Sequence, residues 1–512
     1  MNALKIGWAS RDVGTDKPVY IPGQFHVRLS QGVFDPVTVN VLVIDNGTDC
    51  VIFVSADVVV IRNYLLDDIR ARVAERNPAI PVDKLLMNAT HTHTGPSVYG
   101  DTKNGADEGA MLHGFDNLPL DGLEAASNDE YREFFCRQTV DAIDEAYTRR
   151  ERGGLAYGYG FAVVGHSRRT VYFDDLSQRS GATSNSRHGV NGHASMYGNT
   201  NDDQFSHYEA GADHFINLLY TFDARNRLTG ALINVPCPSQ NSEGEWRLSA
   251  SFWNEVRQAI RADYGDIHLL AQSAAGGDLA PRILHYNNAQ TRRFRLKYGS
   301  EPEPIAEWNA RRDIGERIAA AFTEVLSWAK KDIQTELPIR HLVDTVHLEK
   351  RRITPQEAAA DQELLDQLMR QDFKQDGSPR ERLMHDSILI AGRKRCRTIL
   401  ERYKNQDREP ALPMELHVLR IGDIAFASNR FELYMDYMHR IQARSPFVQT
   451  FIVQLAGVPG ADGGTYLATE RGAWGQGYSA SRYCNLVSPR GGQQLVDESV
   501  RRLKTLFGEG KE

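Results

Sequence analysis

The stretch Lys84-Leu-Leu-Met-Asn-Ala-Thr-His-Thr-His-Thr-Gly-Pro96 decides how this chain is read. Its first half, Lys84 to Thr90, is short and apolar and reads as a β-strand. That strand delivers His91 to its carboxyl end, where α/β sheets tend to build their sites. His91 and His93 stand two residues apart, and alternate residues of extended backbone project to one side, so both imidazoles are expected to reach one centre. Neutral imidazole is a good zinc ligand. Thr94-Gly-Pro96 then predicts a tight turn directly after the strand. A His-x-His pair is common by chance, so the metal reading gains force only from its surroundings.

Upstream, Val39-Asn-Val-Leu-Val-Ile-Asp45 and Val51-Ile-Phe-Val-Ser-Ala-Asp57 read as two strands around an Asn46-Gly47 turn, the second apolar enough to be buried on both faces. Tyr64 to Arg76 has apolar positions at helical spacing, with Asp67, Asp68, Arg70 and Arg72 on the wet side. A helix is expected at 129–150. Strands return at Arg227–Val235, His268–Ser273, Ile421–Ser428 and Gln449–Leu455, and helices at 303–333, 355–371, 382–403 and 491–506. The pattern predicts an α/β fold with mixed β-sheets flanked by helices. No repeat or low-complexity linker divides the chain, so residues 1–512 are expected to form one domain with a helical subdomain at 303–403. Segments 97–128 and 175–205 are polar and weakly periodic, and are expected to be loop insertions over the site.

Composition narrows the function classes. The 512 residues carry 60 basic and 67 acidic side chains, a net charge of -7, which argues against a dedicated nucleic-acid surface. Five widely spaced cysteines form no CxxC pair, which fits a reducing compartment rather than a disulfide framework. No stretch is long and apolar enough for a membrane span, and the N-terminus has no long apolar run. The expectation is a cytoplasmic protein acting on a small molecule. The sequence leaves open whether copies of the chain associate into a homo-oligomer.

Two known His-x-His classes fit poorly. Gly95 and Pro96 stand where the metallo-β-lactamase pattern continues with Asp and His, and the regular βα repeat of an amidohydrolase barrel is missing. A third resemblance runs along nearly the whole chain. Thr90-His-Thr-His-Thr-Gly-Pro96 resembles the THTHSGP segment of the neutral, non-lysosomal ceramidase family. Gly276-Gly-Asp-Leu-Ala-Pro281 resembles its GDVSP motif, and Phe431-Glu432 its glutamate-bearing segment. Tyr466-Leu-Ala-Thr-Glu470 resembles YVTTPEE, with Tyr478 following at the family's spacing. The order and spacing of these pieces imply a ceramidase catalytic-domain-like fold.

The resemblance implies one Zn2+ per chain. The family's ligands are two histidines, a glutamate and a tyrosine, and His91, Glu432 and Tyr466 match three of them. The second histidine follows a strand of the type N-W-F-A-x-H-x-T-S. Here Leu232-Ile-Asn-Val-Pro-Cys-Pro-Ser-Gln240 puts Cys237 at that position. Thiolate binds zinc well, so Cys237 is expected as the fourth ligand, the alternative being a buried structural thiol. A thiolate would leave bound water less acidified and move the working pH upward. By the same matching, His93 is a general base or substrate contact, and Arg168 holds a substrate carbonyl or oxyanion unless it serves an ion pair. Tyr478 donates to the same oxygen unless it is simply a half-buried aromatic. Asp57 and Asp278 are expected to support the site from behind. In the segment 205–214, His207 and His214 flank Glu209 and Asp213, which suggests a second metal or substrate patch or, more simply, a helix start with exposed acids. His166, His188 and His193 are placed at the pocket mouth.

Ala280 replaces the serine of the family motif, so a serine nucleophile is unsupported and direct attack by zinc-activated water remains. On this reading the family's C-terminal Ig-like domain and export signal are not expected in this protein, and the two insertions are polar. These features predict an amide (N-acyl) bond of a small polar substrate rather than ceramide as the target. A zinc enzyme of another reaction class acting on a carbohydrate-like substrate, and a non-catalytic binding protein, are the alternatives.

Overall fold

The computed structural model describes residues 3–62, 64–99, 122–180, 191–300, 307–459 and 465–508. Strand Thr38–Asp45 shows why its layers form. Val39, Val41 and Val43 belong to one apolar core, and Leu42 and Ile44 to another. Strands Cys50–Ala56 and Leu85–Ala89 divide in the same way, with Ile52, Val54 and Met87 in the first core and Phe53 and Leu86 in the second. Strands buried on both faces require a packed layer on each side.

The protein has a mixed α/β fold. Eight strands form one sheet in the order His268–Ser273, Leu228–Val235, Phe215–Asp223, Glu151–Phe161, Lys5–Asp12, Thr38–Asp45, Cys50–Ala56, Leu85–Ala89. The pair at each end is parallel and the others antiparallel. A four-stranded sheet, Ile339–Glu349, Ala411–Ile421, Ile424–Ser428 and Gln449–Val453, packs on it face to face. Phe53 meets Phe426 there at 5.0 Å between ring centroids. Helices Leu65–Arg76 and Asn128–Thr148 cover one part of the large sheet's outer face, and Phe252–Tyr264 and Trp308–Ala329 another. Met435–Arg444 and Pro489–Gly508 cover the small sheet. Among the described residues no helix is long and apolar enough to cross a membrane.

Local signals set several boundaries. Thr354-Pro-Gln-Glu357 and Ser378-Pro-Arg-Glu381 are capping boxes with proline in the first turn, so helices start at Pro355 and Pro379. Those two helices, Pro355–Met369 and Pro379–Asn405, pack on each other. The range 303–403 is nevertheless not a helical unit. Trp308–Ala329 packs against the large sheet, and Ile339–Glu349 is a strand of the small one. The range 175–205 is only partly loop: Ala194–Met196 and Phe205–Tyr208 flank Arg169–Tyr172 in a three-stranded sheet. His188 and most of the expected 97–128 insertion lie outside the described residues.

Candidate active site

The strand that carries His91 ends at Ala89, and His91 itself adopts a left-handed conformation, φ 63°. Non-glycine residues rarely sit there, and they concentrate at functional sites. Strand alternation therefore does not bring the two imidazoles together, as the sequence suggested; a turn does. Their rings meet edge to face with centroids 4.9 Å apart and the Nε2 atoms at 3.3 Å. Gly23, at φ +100°, lies so close to the His93 ring that a Cβ would come within 2.7 Å of it. Asp57 anchors the approach. It is fully buried, accepts two bonds from Arg257 at 2.7 and 3.0 Å, and holds the Thr90 hydroxyl at 3.2 Å.

Glu432 and Tyr466 come from two short strands that pair in parallel with these residues in direct register. Gly277 lies under the pair, where a Cβ would be 2.3 Å from the Glu432 carbonyl oxygen; its N–H donates to Leu433. That contact explains the glycine of the Gly276-Gly-Asp motif. Asp278 is buried and accepts from the Met435 N–H, with burial raising its carboxyl to about 7. Ala280 is buried and pairs with His166.

The polar atoms at the centre have a specific arrangement. His91 Nδ1 lies 2.7 Å from the Val59 carbonyl, which can only accept, so the proton is on Nδ1 and Nε2 presents its lone pair. Glu432 Oε2 faces that lone pair at 3.3 Å and has no hydrogen-bond partner. Burial pushes the Glu432 carboxyl up, while a proton carried on His91 Nε2, together with Arg168 and Tyr466, would hold it down at about 2. Arg168 Nη2 stands 3.6 Å from the same oxygen.

Gln240 fixes the third member. Its Oε1 accepts from Arg168 Nη1 at 2.9 Å, and a guanidinium only donates. The amide N–H therefore points at His93 Nε2, 2.8 Å away, and makes that nitrogen an acceptor. His93 Nδ1 faces Glu243 Oε2 at 3.5 Å. Burial lowers the His93 imidazole pKa, while Glu243 is held at about 2 against its own burial by His93, Arg282 and Gln24. His91 Nε2 thus lies 3.3 Å from both Glu432 Oε2 and His93 Nε2, and the His93 nitrogen already takes the Gln240 N–H. The meeting of His91 Nε2 with Glu432 Oε2 calls for a positive charge between them, either a proton or a metal ion.

Arg168 is only 1% exposed and spends its two Nη groups on protein acceptors: Gln240, the Gly277 carbonyl at 3.0 Å, Tyr466 at 3.2 Å and Tyr197 at 3.3 Å. Tyr478 stacks edge-on to Tyr466, with centroids 6.0 Å apart. Cys237 is not brought to this cluster. Its thiol contacts the Pro238 carbonyl at 3.4 Å, and the side chain is buried in the apolar core with Val235 and Ala162. Burial pushes its thiol pKa up. The chain turns after the strand, so Gln240, three residues later, faces the site. Among the described residues no three His, Cys, Asp or Glu side chains are spaced as a complete set of metal ligands. His91 and Glu432 are two such donors, and the Tyr466 phenol beside them is of another type.

The segment 205–214 differs from expectation. Its first part, Phe205–Tyr208, is a strand rather than a helix start, and its acids Glu209 and Asp213 are buried. Glu209 pairs with Arg169 at 2.6 Å and Asp213 with His439 at 2.8 Å. Sequence reading missed Gln240, Glu243 and Tyr197. The only local hint was the polar run after the strand that ends at Val235.

No protein family profile and no curated protein matches the chain by sequence. Solved structures do match. The neutral ceramidase of Pseudomonas aeruginosa superposes with a TM-score of 0.63 at 17% identity, over 99% of this chain and 75% of that one. A ceramidase complexed with C2 gives 0.63 at 16% identity, over 99% and 76%. The chain shares the fold of these ceramidases.

Proposed function

We propose that the protein is a zinc-dependent hydrolase acting on the amide (N-acyl) bond of a small polar substrate. The observation that carries this reading is the meeting of His91 Nε2 and Glu432 Oε2, two buried atoms 3.3 Å apart that a shared proton or a metal ion would join. His91, Glu432 and Tyr466 would hold the ion; Cys237, in the apolar core, is left out of the set. When bound, zinc supplies Lewis acidity toward a carbonyl and lowers the pKa of water.

The chain's own groups account for the rest of the chemistry. The Val59 carbonyl keeps His91 in the Nδ1–H tautomer, which leaves Nε2 free to ligate. His93 would take a proton from the attacking water at Nε2 once the Gln240 amide, which donates to that nitrogen at 2.8 Å, gives way, and Glu243 behind Nδ1 would stabilise the resulting imidazolium. Arg168 positions Tyr466 and Gln240 rather than touching substrate. Tyr478, beside Tyr466, donates to the substrate carbonyl oxygen.

The buried Ala280 favours a second reading, a zinc enzyme of another reaction class on a carbohydrate-like substrate, because it removes the hydroxyl of the family motif. Metal analysis of the purified protein, followed by amine release from a panel of N-acylated compounds and by glycoside cleavage, separates the two. Amine release that stops on chelation is the expected result. A zinc-free protein, or one inert to every amide, overturns the first reading.

A further inference from the structure

A cleft of 610 Å³ is lined by His166 and Ser167, which pair with Leu279–Ala280, and by Trp474. It shares no lining residue with the His91–Glu432 cluster, so what it binds is independent of the function proposed above.

Two observations point to a ligand. Ser167 is 8% exposed and lines the cleft, yet its hydroxyl has no hydrogen-bond partner. His214 Nδ1, also in the lining, is likewise buried and unpartnered. Buried polar atoms nearly always find partners, so two orphans in one cleft mark places for incoming donors or acceptors. The second observation is Trp474. It stacks on His193 at 4.9 Å and 7°, yet remains 65% exposed, so one face of the indole is open.

The charges say what kind of ligand fits. Glu209 and Arg471 are the Asp, Glu, Lys or Arg residues among the described lining, and both are spoken for: Glu209 by Arg169, Arg471 by Asp436. Burial, with Arg317 and two neighbouring histidines, takes His166 down to about 4 and keeps it neutral. His285 shares a 2.8 Å hydrogen bond with Tyr208. No three metal-ligating side chains are spaced as a site among the described residues. What remains is a flat aromatic face, apolar lining from Val171, Ile283 and Leu284, and the hydrogen-bonding atoms of Ser167, Tyr208 and His214. A ring with C–H faces and hydroxyl edges matches that set better than an anion, a cation or a fully apolar chain.

We propose that this cleft binds a neutral saccharide ring, stacked on Trp474 and hydrogen-bonded by Ser167 Oγ and His214 Nδ1.

The test is saturation-transfer NMR and titration with methyl β-D-glucopyranoside, methyl β-D-galactopyranoside and N-acetylglucosamine. At least one sugar is expected to bind. Trp474→Ala should weaken it about tenfold, the equivalent of about 1.4 kcal/mol. Ser167→Ala should weaken it severalfold, and Glu432→Gln should leave it unchanged. Circular dichroism checks that each variant is folded, and the two cleft variants guard against either one misfolding. Absence of transfer from all three sugars overturns the proposal. So does binding that neither cleft variant alters, or binding lost in Glu432→Gln, which would seat the sugar at the other centre. Zinc binding that disappears in His214→Ala and persists in Glu432→Ala would make the cleft a metal site instead.

Discussion

Among the described residues two pairs of histidines meet nitrogen to nitrogen, and they are built in opposite ways. His341 and His417 lie between the two sheets, Nε2 to Nδ1 at 2.9 Å. Each outer nitrogen has a partner: His341 Nδ1 the Cys50 carbonyl at 3.1 Å, His417 Nε2 the Glu415 carboxylate at 2.9 Å. Arg70 closes the chain with two bonds to Glu415, at 2.8 and 3.0 Å. His91 and His93 meet just as closely, but His91 carries left-handed backbone and the Glu432 oxygen beside it has no hydrogen-bond partner. One pair is satisfied and serves the fold. The other is held together in an unsatisfied state by the fold around it, the signature of a site that awaits something.

The largest expected effect tests that division directly. His91→Ala or Glu432→Ala should take zinc content, measured by mass spectrometry after dialysis, from about one ion per chain to essentially none. His417→Leu should leave it intact. Equal zinc content in all three proteins would dissolve the contrast. Stability should respond the other way. His417→Leu strands Glu415 and His341 and should cost about 2–4 kcal/mol in urea unfolding.

The interior pair should also make the fold sensitive to acid. Burial pushes the Glu415 carboxyl up, but His417 and Arg70 hold it at about 2, below its ordinary value. Its contribution is therefore present above about pH 4.5 and lost as pH falls toward 2. Burial also holds His341 well below its ordinary value, so the unfolded chain takes up that proton first and stability again falls with acid. Urea titrations between pH 3 and 7 should show a loss of about 1–3 kcal/mol that is much reduced in His417→Leu. An acid limb unchanged in the variant would place the sensitivity elsewhere. The smallest effect concerns Cys237. Cys237→Ala should leave zinc content unchanged and cost about 1 kcal/mol through the small cavity it opens. Loss of zinc in that variant would restore the thiol as a ligand.

Much of this was legible in the sequence, for identifiable reasons. Strands such as Thr38–Asp45 and Leu85–Ala89 announce themselves because both faces are apolar. The strand Glu151–Phe161 does not, because it contains four glycines, at 153, 154, 158 and 160. Helix Trp308–Ala329 packs so close that a Cβ on Gly158 would be 2.3 Å from the Trp328 ring. Close packing thus erased the residue types that mark a strand. His91, Glu432 and Tyr466 were readable through resemblance, and the structure brings them together. Gln240 and Glu243 were not, since their roles depend on His93 and Arg168, far away in the chain. Cys237 was placed by position along a strand, but the turn after Val235 decides which side chain looks inward.

The pairing of Glu432 with Tyr466, set beside His91 and Arg168, has a consequence for folding. The centre joins the Glu432–Tyr466 pair to His91 and Arg168, which lie hundreds of residues earlier in the chain, so no short fragment carries the whole of it. Contacts of such long range form late, after the loops between them have closed. Uptake of an ion by this centre would therefore clock the last docking events of the refolding chain rather than seed the first.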